Sequence, residues 1–280
     1  MEKSSKNILI FFTATFLWTW ACYLPIVLSG ASQYQMPWMI LLILGGMGPS
    51  LVGVALVFIT YKREDRRDYF LRCFSIRRIR LAWWLVIILI FPLILIAVVA
   101  TDRALGGGPP GLTQLESLLA SPFTIPLAAL RSFMSGPFSE EFGWRGFALE
   151  PLIKCLGIFP GTLLLGFLWA VWHLPLYFMA DGWHAQMGFG LTGLWTFIVF
   201  NMALSLIMTW VYLNSNRSIL SAMLLHFAVN FSAQLLSPYS ERVELLRVLP
   251  MLAIGVIGCA SLQRKLRKET QNGDYLPTRK

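Results

Sequence analysis

The chain has 280 residues, of which 56% are hydrophobic and 13% charged, and its mean hydropathy is +0.64. A soluble domain carries about 25% charged residues, so a disordered chain, a coiled coil and an ordinary cytosolic enzyme are excluded and a polytopic membrane protein is expected. The net charge of +9, from 23 Lys and Arg against 14 Asp and Glu, gathers at the edges of apolar runs with few aromatics that could stack on bases, which marks cytoplasmic flanks and no nucleic-acid partner.

A membrane-spanning helix needs about 20 mostly apolar residues. By that rule the chain holds about eight, near 7–29, 37–61, 81–100, 122–149, 158–179, 188–213, 218–236 and 245–262. The first follows Lys3 and Lys6 and is too long for a signal-peptide core, so it is read as a span. Between the second and third, the stretch Tyr61–Arg80 mixes basic residues with Tyr69, Phe70, Leu71, Phe74 and Ile76. It reads either as an amphipathic helix on the anionic inner leaflet or as a solvated basic loop. Gly106–Gly111 is an outer turn that cannot be helical. With the N-terminus inside, all but Arg103, Arg131, Arg242 and Arg247 of the 23 basic residues fall on the inner side, so both termini are expected to be cytoplasmic. The predicted fold class is therefore all-α, a single transmembrane domain over 1–262 with a polar, basic, poorly ordered tail over 263–280. Cys22, Cys73, Cys155 and Cys259 form no C-x-x-C pair and are read as small hydrophobes, not as disulfides or a zinc knuckle.

Ionisable groups inside a bilayer are costly, so each is a candidate functional group. The fourth span contains Ser139-Glu140-Glu141-Phe142-Gly143-Trp144-Arg145. Glu141 and Arg145, four apart, share a helix face and can pair. Glu140 points about 100° away, on a face with Gly136 and Gly143 that leaves room for another group. It is the free carboxylate, suited to general acid or base work. The plainer reading of this cluster is a helix-packing ion pair. The fifth span carries His173 in an aromatic-rich run ending His173-Leu174-Pro175; a lone histidine there is more often a hydrogen-bonded core residue. The seventh carries His226 and Asn230, on one face at i,i+4, which alone could be an interhelical hydrogen-bonding pair. His184, in the outer loop beside Asp181 and Trp183, is expected to be solvent exposed and outside any site.

Depth joins these groups. At about 1.5 Å per residue, Glu140, His173 and Asn230 lie roughly 18–20 Å, and His226 about 12 Å, from the inner ends of their helices. One glutamate, two histidines and an asparagine in one layer can activate a water and stabilise an oxyanion. Glu140 would take the water proton with help from His173, and His226 and Asn230 would donate to the carbonyl oxygen. Glu140, His173 and His226 would equally suit zinc, with a fourth position for water. The helical H-E-x-x-H signature and the di-iron Glu-x-x-His pattern are absent from the sequence. Ser50 and Ser139 sit in no clear nucleophile motif, and the spans hold no aspartyl pair.

Taken together, Glu140-Glu141-x-x-x-Arg145, a histidine in an aromatic helix ending His173-Leu174-Pro175, and His226-x-x-x-Asn230 resemble the motifs of the CPBP family. That family comprises the type II CAAX prenyl endopeptidases and bacterial bacteriocin-processing and immunity membrane proteins. The resemblance spans roughly 123–231 and agrees with an eight-helix layout over the whole chain. It implies a multi-pass intramembrane endopeptidase of a bacterial cell membrane, with Glu140 as catalytic glutamate, His173 as its partner, His226 and Asn230 on the oxyanion side, and Glu141 and Arg145 in support. It implies a peptide or lipidated protein substrate within the lipid bilayer, and either a metalloprotease or a metal-free, glutamate-activated water. Oligomeric state is not implied. One position departs: the family's second motif is usually Phe-x-x-x-His, and the residue four before His173 is Trp169, which keeps an aromatic. A noncatalytic immunity or scaffold protein and a proton-coupled transporter are the other readings of the polar layer, the latter without the repeat pair that transporters show.

Overall fold

The computed structural model describes residues 2–235 and 240–271, so the predicted span end at 236 and the tail over 272–280 lie outside the described residues. The helices follow in chain order. They are α1 (Glu2–Ser29), α2 (Trp38–Gly46), α3 (Gly48–Thr60), α4 (Arg63–Phe74), α5 (Leu81–Ala104) and α6 (Thr113–Ala120). Then come α7 (Pro122–Leu156), α8 (Ile158–Phe178), α9 (Trp183–Met187), α10 (Leu191–Asn214), α11 (Ile219–Leu235) and α12 (Glu241–Gln271). No strand occurs among the described residues. Five helices, α1, α5, α8, α10 and α12, are long and apolar enough to cross a membrane, or up to seven spans if each of two bent pairs counts as one. The expected crossing at 218–236 is α11, apolar but only 17 residues long, which is the lower limit for a span. Apolar side chains such as Leu9, Leu17, Leu85, Leu93 and Ile96 stand exposed on α1 and α5, as a lipid-facing surface requires. The protein is an all-α, multi-pass integral membrane protein.

Two predicted spans are not straight. The second breaks at Met47, where α2 and α3 meet at 47°; Pro49, in the first turn of α3, has no N–H to continue the ladder from α2. The fourth is preceded by α6, bent 106° from α7 at the Ser121-Pro122 step. Within α7 two π-helical turns, Met134–Phe138 and Trp144–Ala148, bracket Ser139–Gly143. Pro137 lies inside the first of them, where a widened turn accommodates the missing donor. The glycine-rich turn is non-helical as expected, and Gly106 there has φ +82°. The last helix continues past 262 to Gln271.

Glycines set α7 directly against α3. A methyl on Gly143 would collide with the Pro49 carbonyl, and one on Gly53 would lie 2.7 Å from Gly143 Cα. Ser50 adds a hydrogen bond, its hydroxyl donating to the Phe138 carbonyl at 3.0 Å. Gly143→Ala must therefore push two backbones apart. It is expected to lower stability by roughly 1–3 kcal/mol, read as a lower unfolding midpoint in detergent; an unchanged midpoint would show that the helices separate freely.

Of the two readings of Tyr61–Arg80, the helix forms, but it docks on protein. Tyr69, Arg72 and Cys73 of α4 are buried. The Tyr69 hydroxyl donates to the Phe142 carbonyl at 2.7 Å, and Arg72 donates to Tyr212 at 2.7 Å and to Glu150 at 3.0 Å. Arg217 holds both oxygens of Glu150, at 2.6 and 2.7 Å. Leu71 and Phe74 keep the outward face apolar. The helix forms a clamp on the end of α7 and the turn between α10 and α11.

Candidate active site

Three helices supply the polar layer. From α7 come Gly136, Glu140, Glu141 and Arg145, from α8 Trp169 and His173, and from α11 His226 and Asn230. Glu140, Glu141, Arg145, Trp169 and His226 are all at least 95% buried.

Glu141 and Arg145 pair as their spacing predicts, Nη1 to Oε1 at 3.1 Å. The second guanidinium nitrogen donates to Ser205 Oγ at 2.9 Å, and the guanidinium lies over the Trp169 ring at 4.3 Å. The same Glu141 oxygen meets His226 Nδ1 at 2.8 Å. That contact was not legible in the sequence, and it makes Glu141 the orienting partner of His226 as well as the counter-charge of Arg145. His226 Nε2 and Asn230 Nδ2 both face Gly136, where a Cβ would lie 3.0 and 3.1 Å from them. The gap left by Gly136 is thus filled by these two nitrogens.

Pro175 shapes the other histidine. The α-helical part of α8 ends at Trp172, and Leu174–Phe178 is 3₁₀, because the proline cannot extend the α-ladder. The His173 N–H consequently bonds the Ala170 carbonyl, three back, at 3.1 Å. The Trp169 carbonyl, which would have taken that N–H in an α-turn, receives His173 Nδ1 at 2.8 Å instead. A carbonyl can only accept, so Nδ1 carries a proton, and in the neutral ring Nε2 is the bare nitrogen. Trp169 also donates from Nε1 to Glu140 Oε2 at 2.5 Å.

Glu140, His173, His226 and Asn230 line one cavity of about 460 Å³, with Gly136, Trp169, Asn201 and Gln234 among the other wall residues. The expectation for His184 is overturned. It is half-buried, its ring stacks on His173 at 5.5 Å between centroids and 24° between planes, and it lines the same cavity. The five-residue helix α9 folds back over the end of α8 and carries it there; no periodicity in so short a segment signals this. Burial first, then the His173 ring, hold the His184 imidazole well below its ordinary pKa, so it is neutral at pH 7.

Zinc would need Glu140, His173 and His226 to aim three donor atoms at one point. Among the described residues no three His, Cys, Asp or Glu side chains are so arranged. The set does not fit a metal centre, and no step below is routed through one.

Residues 122–232 match the model of the type II CAAX prenyl endopeptidase Rce1-like family. The chain is 26% identical over 234 residues to CAAX prenyl protease 2 of Methanococcus maripaludis, covering 81% of this chain and 84% of the relative. The matched segment contains Glu140, His173, His226 and Asn230.

Proposed function

We propose that this chain is a peptidase of the Rce1-like type II CAAX prenyl endopeptidase family, whose model and relative it resembles, and that it hydrolyses a peptide bond near the C-terminus of a prenylated protein with a water activated by Glu140. The membrane concerned is a prokaryotic cell membrane, by likeness to the archaeal relative. The observation that carries the reading is that four polar side chains from three helices line one cavity large enough for a short peptide segment.

The proposed sequence begins with water between Glu140 and the bare Nε2 of His173. His173 orients the water by accepting one of its hydrogens, and Glu140 takes the other proton as the oxygen adds to the scissile carbonyl. The charge that develops on the carbonyl oxygen is met by Asn230 Nδ2, and by His226 Nε2 when that ring is doubly protonated and its Nδ1 stays on Glu141. The C–N bond then breaks as Glu140 returns its proton to the leaving nitrogen; the second water proton, still on the new acid, passes to the released amine, and a carboxylate and an ammonium group separate. Burial of these groups keeps competing water out and strengthens each contact.

Purified protein in liposomes is expected to cleave a farnesylated CAAX peptide and to leave the unprenylated peptide largely intact. Asn230→Ala should reduce kcat roughly 10²–10³-fold, as loss of one oxyanion donor does. Failure of the wild type to cut any prenylated peptide would overturn the substrate class, and full turnover in the Asn230 variant would overturn the oxyanion assignment.

A further inference from the structure

One residue touches Glu140, Arg145, His173 and His226, and the mechanism above does not use it. Trp169 is 2% exposed. Its indole N–H donates to Glu140 Oε2 at 2.5 Å, and its carbonyl accepts His173 Nδ1 at 2.8 Å. Its face carries the Arg145 guanidinium at 4.3 Å, and its ring meets His226 edge-on at 5.1 Å and 78°. An indole N–H can only donate, so its bond to the carboxylate has one polarity and cannot be reversed by a flip. A short bond to an ionised oxygen is also among the stronger hydrogen bonds available.

We propose that Trp169 is a positioning residue that fixes the Glu140 carboxylate and the His173 imidazole relative to each other, its side chain holding one and its main chain the other. Oε2 is anchored and Oε1 is the oxygen presented to water. The anchoring donor and the carbonyl that sets the His173 tautomer belong to a single rigid, buried residue, so the separation of the two groups that share the water is built into one side chain. A phenylalanine here would keep the ring packing but has no hydrogen to give to Glu140. The inference rests on the reading of Glu140 as the water-activating carboxylate.

The test replaces Trp169 in the full chain with 3-benzothienylalanine, which keeps the fused ring and its volume but puts sulfur in place of N–H. Trp169→Phe serves as a second variant. Loss of one hydrogen bond to a charged group should lower kcat roughly 10–100-fold, with KM for the farnesylated peptide and the unfolding midpoint unchanged. The carboxyl stretching band that disappears in Glu140→Gln, read by infrared difference spectroscopy, should shift in the isostere. A wild-type kcat in the isostere, with or without a band shift, overturns the proposal. So does an unmoved band, even where Trp169→Phe is inactive, because that pattern assigns the effect to packing. If the wild type cuts no prenylated peptide, the reading of the function has failed, and the band alone decides whether Trp169 holds Glu140.

Discussion

Glu140→Gln is expected to remove cleavage, by roughly 10²–10⁴-fold or to the detection limit, in a protein that folds as well as the wild type. The amide matches the carboxylate in size, and its carbonyl oxygen can still accept the Trp169 N–H that now reaches Oε2. What it loses is the ability to take and return a proton, and with it the step that makes water a nucleophile. Stability should not fall, because the change removes a charge from an apolar interior where ionised groups are disfavoured. The informative comparison is between turnover of the farnesylated peptide and the unfolding midpoint of the same preparation. Normal turnover in this variant would dismiss Glu140 as the base. Lost turnover together with a collapsed midpoint would assign it a structural role.

The largest stability effect is expected at Arg145. Its side chain is fully buried, its two terminal nitrogens hold Glu141 and Ser205, and its face packs on Trp169. Arg145→Ala leaves the fully buried Glu141 with His226 as its one remaining partner among these contacts and opens space beside the Trp169 ring. Breaking a buried pair from one side costs roughly 3–5 kcal/mol, so the variant should unfold at much lower temperature or fail to accumulate. Replacing both partners with apolar residues of similar size, Arg145→Met with Glu141→Leu, should restore most of the midpoint, since no uncompensated charge remains. The double variant should nonetheless stay inactive, because His226 has lost the carboxylate at its Nδ1. A double variant no more stable than Arg145→Ala would show that the pair is not the source of the loss.

These expectations depend on contacts of different legibility. The Glu141–Arg145 pair could be read from i,i+4 spacing alone, because a helix places such residues on one face whatever surrounds it. The Glu141–His226 bond joins positions 85 apart in the chain, and no local rule relates them. The same holds for Trp169, which reads as a packing aromatic until Glu140 is seen within reach of its N–H, and for His184, whose loop is too short to carry a pattern. The basic stretch around Tyr69 shows the converse limit. Its composition suits a membrane surface, and only the Phe142, Glu150 and Tyr212 partners, all on other helices, show that its polar face is satisfied by protein.

Composition and hydropathy by themselves determined that this is an all-α, multi-pass membrane protein, because apolar runs of span length cannot be paired with water and must place their backbones in helices. The motif spacing also singled out Glu140, His173, His226 and Asn230 as one set. Tertiary structure decided how that set is aimed. The 47° break at Met47, the π turns around Ser139–Gly143 and the 3₁₀ turn after His173 each rotate side chains away from the directions an ideal helix would give them. Helix periodicity assumes a uniform turn. A departure of one residue in the hydrogen-bond ladder redirects the side chains beyond it, and only packing between helices determines which departures survive.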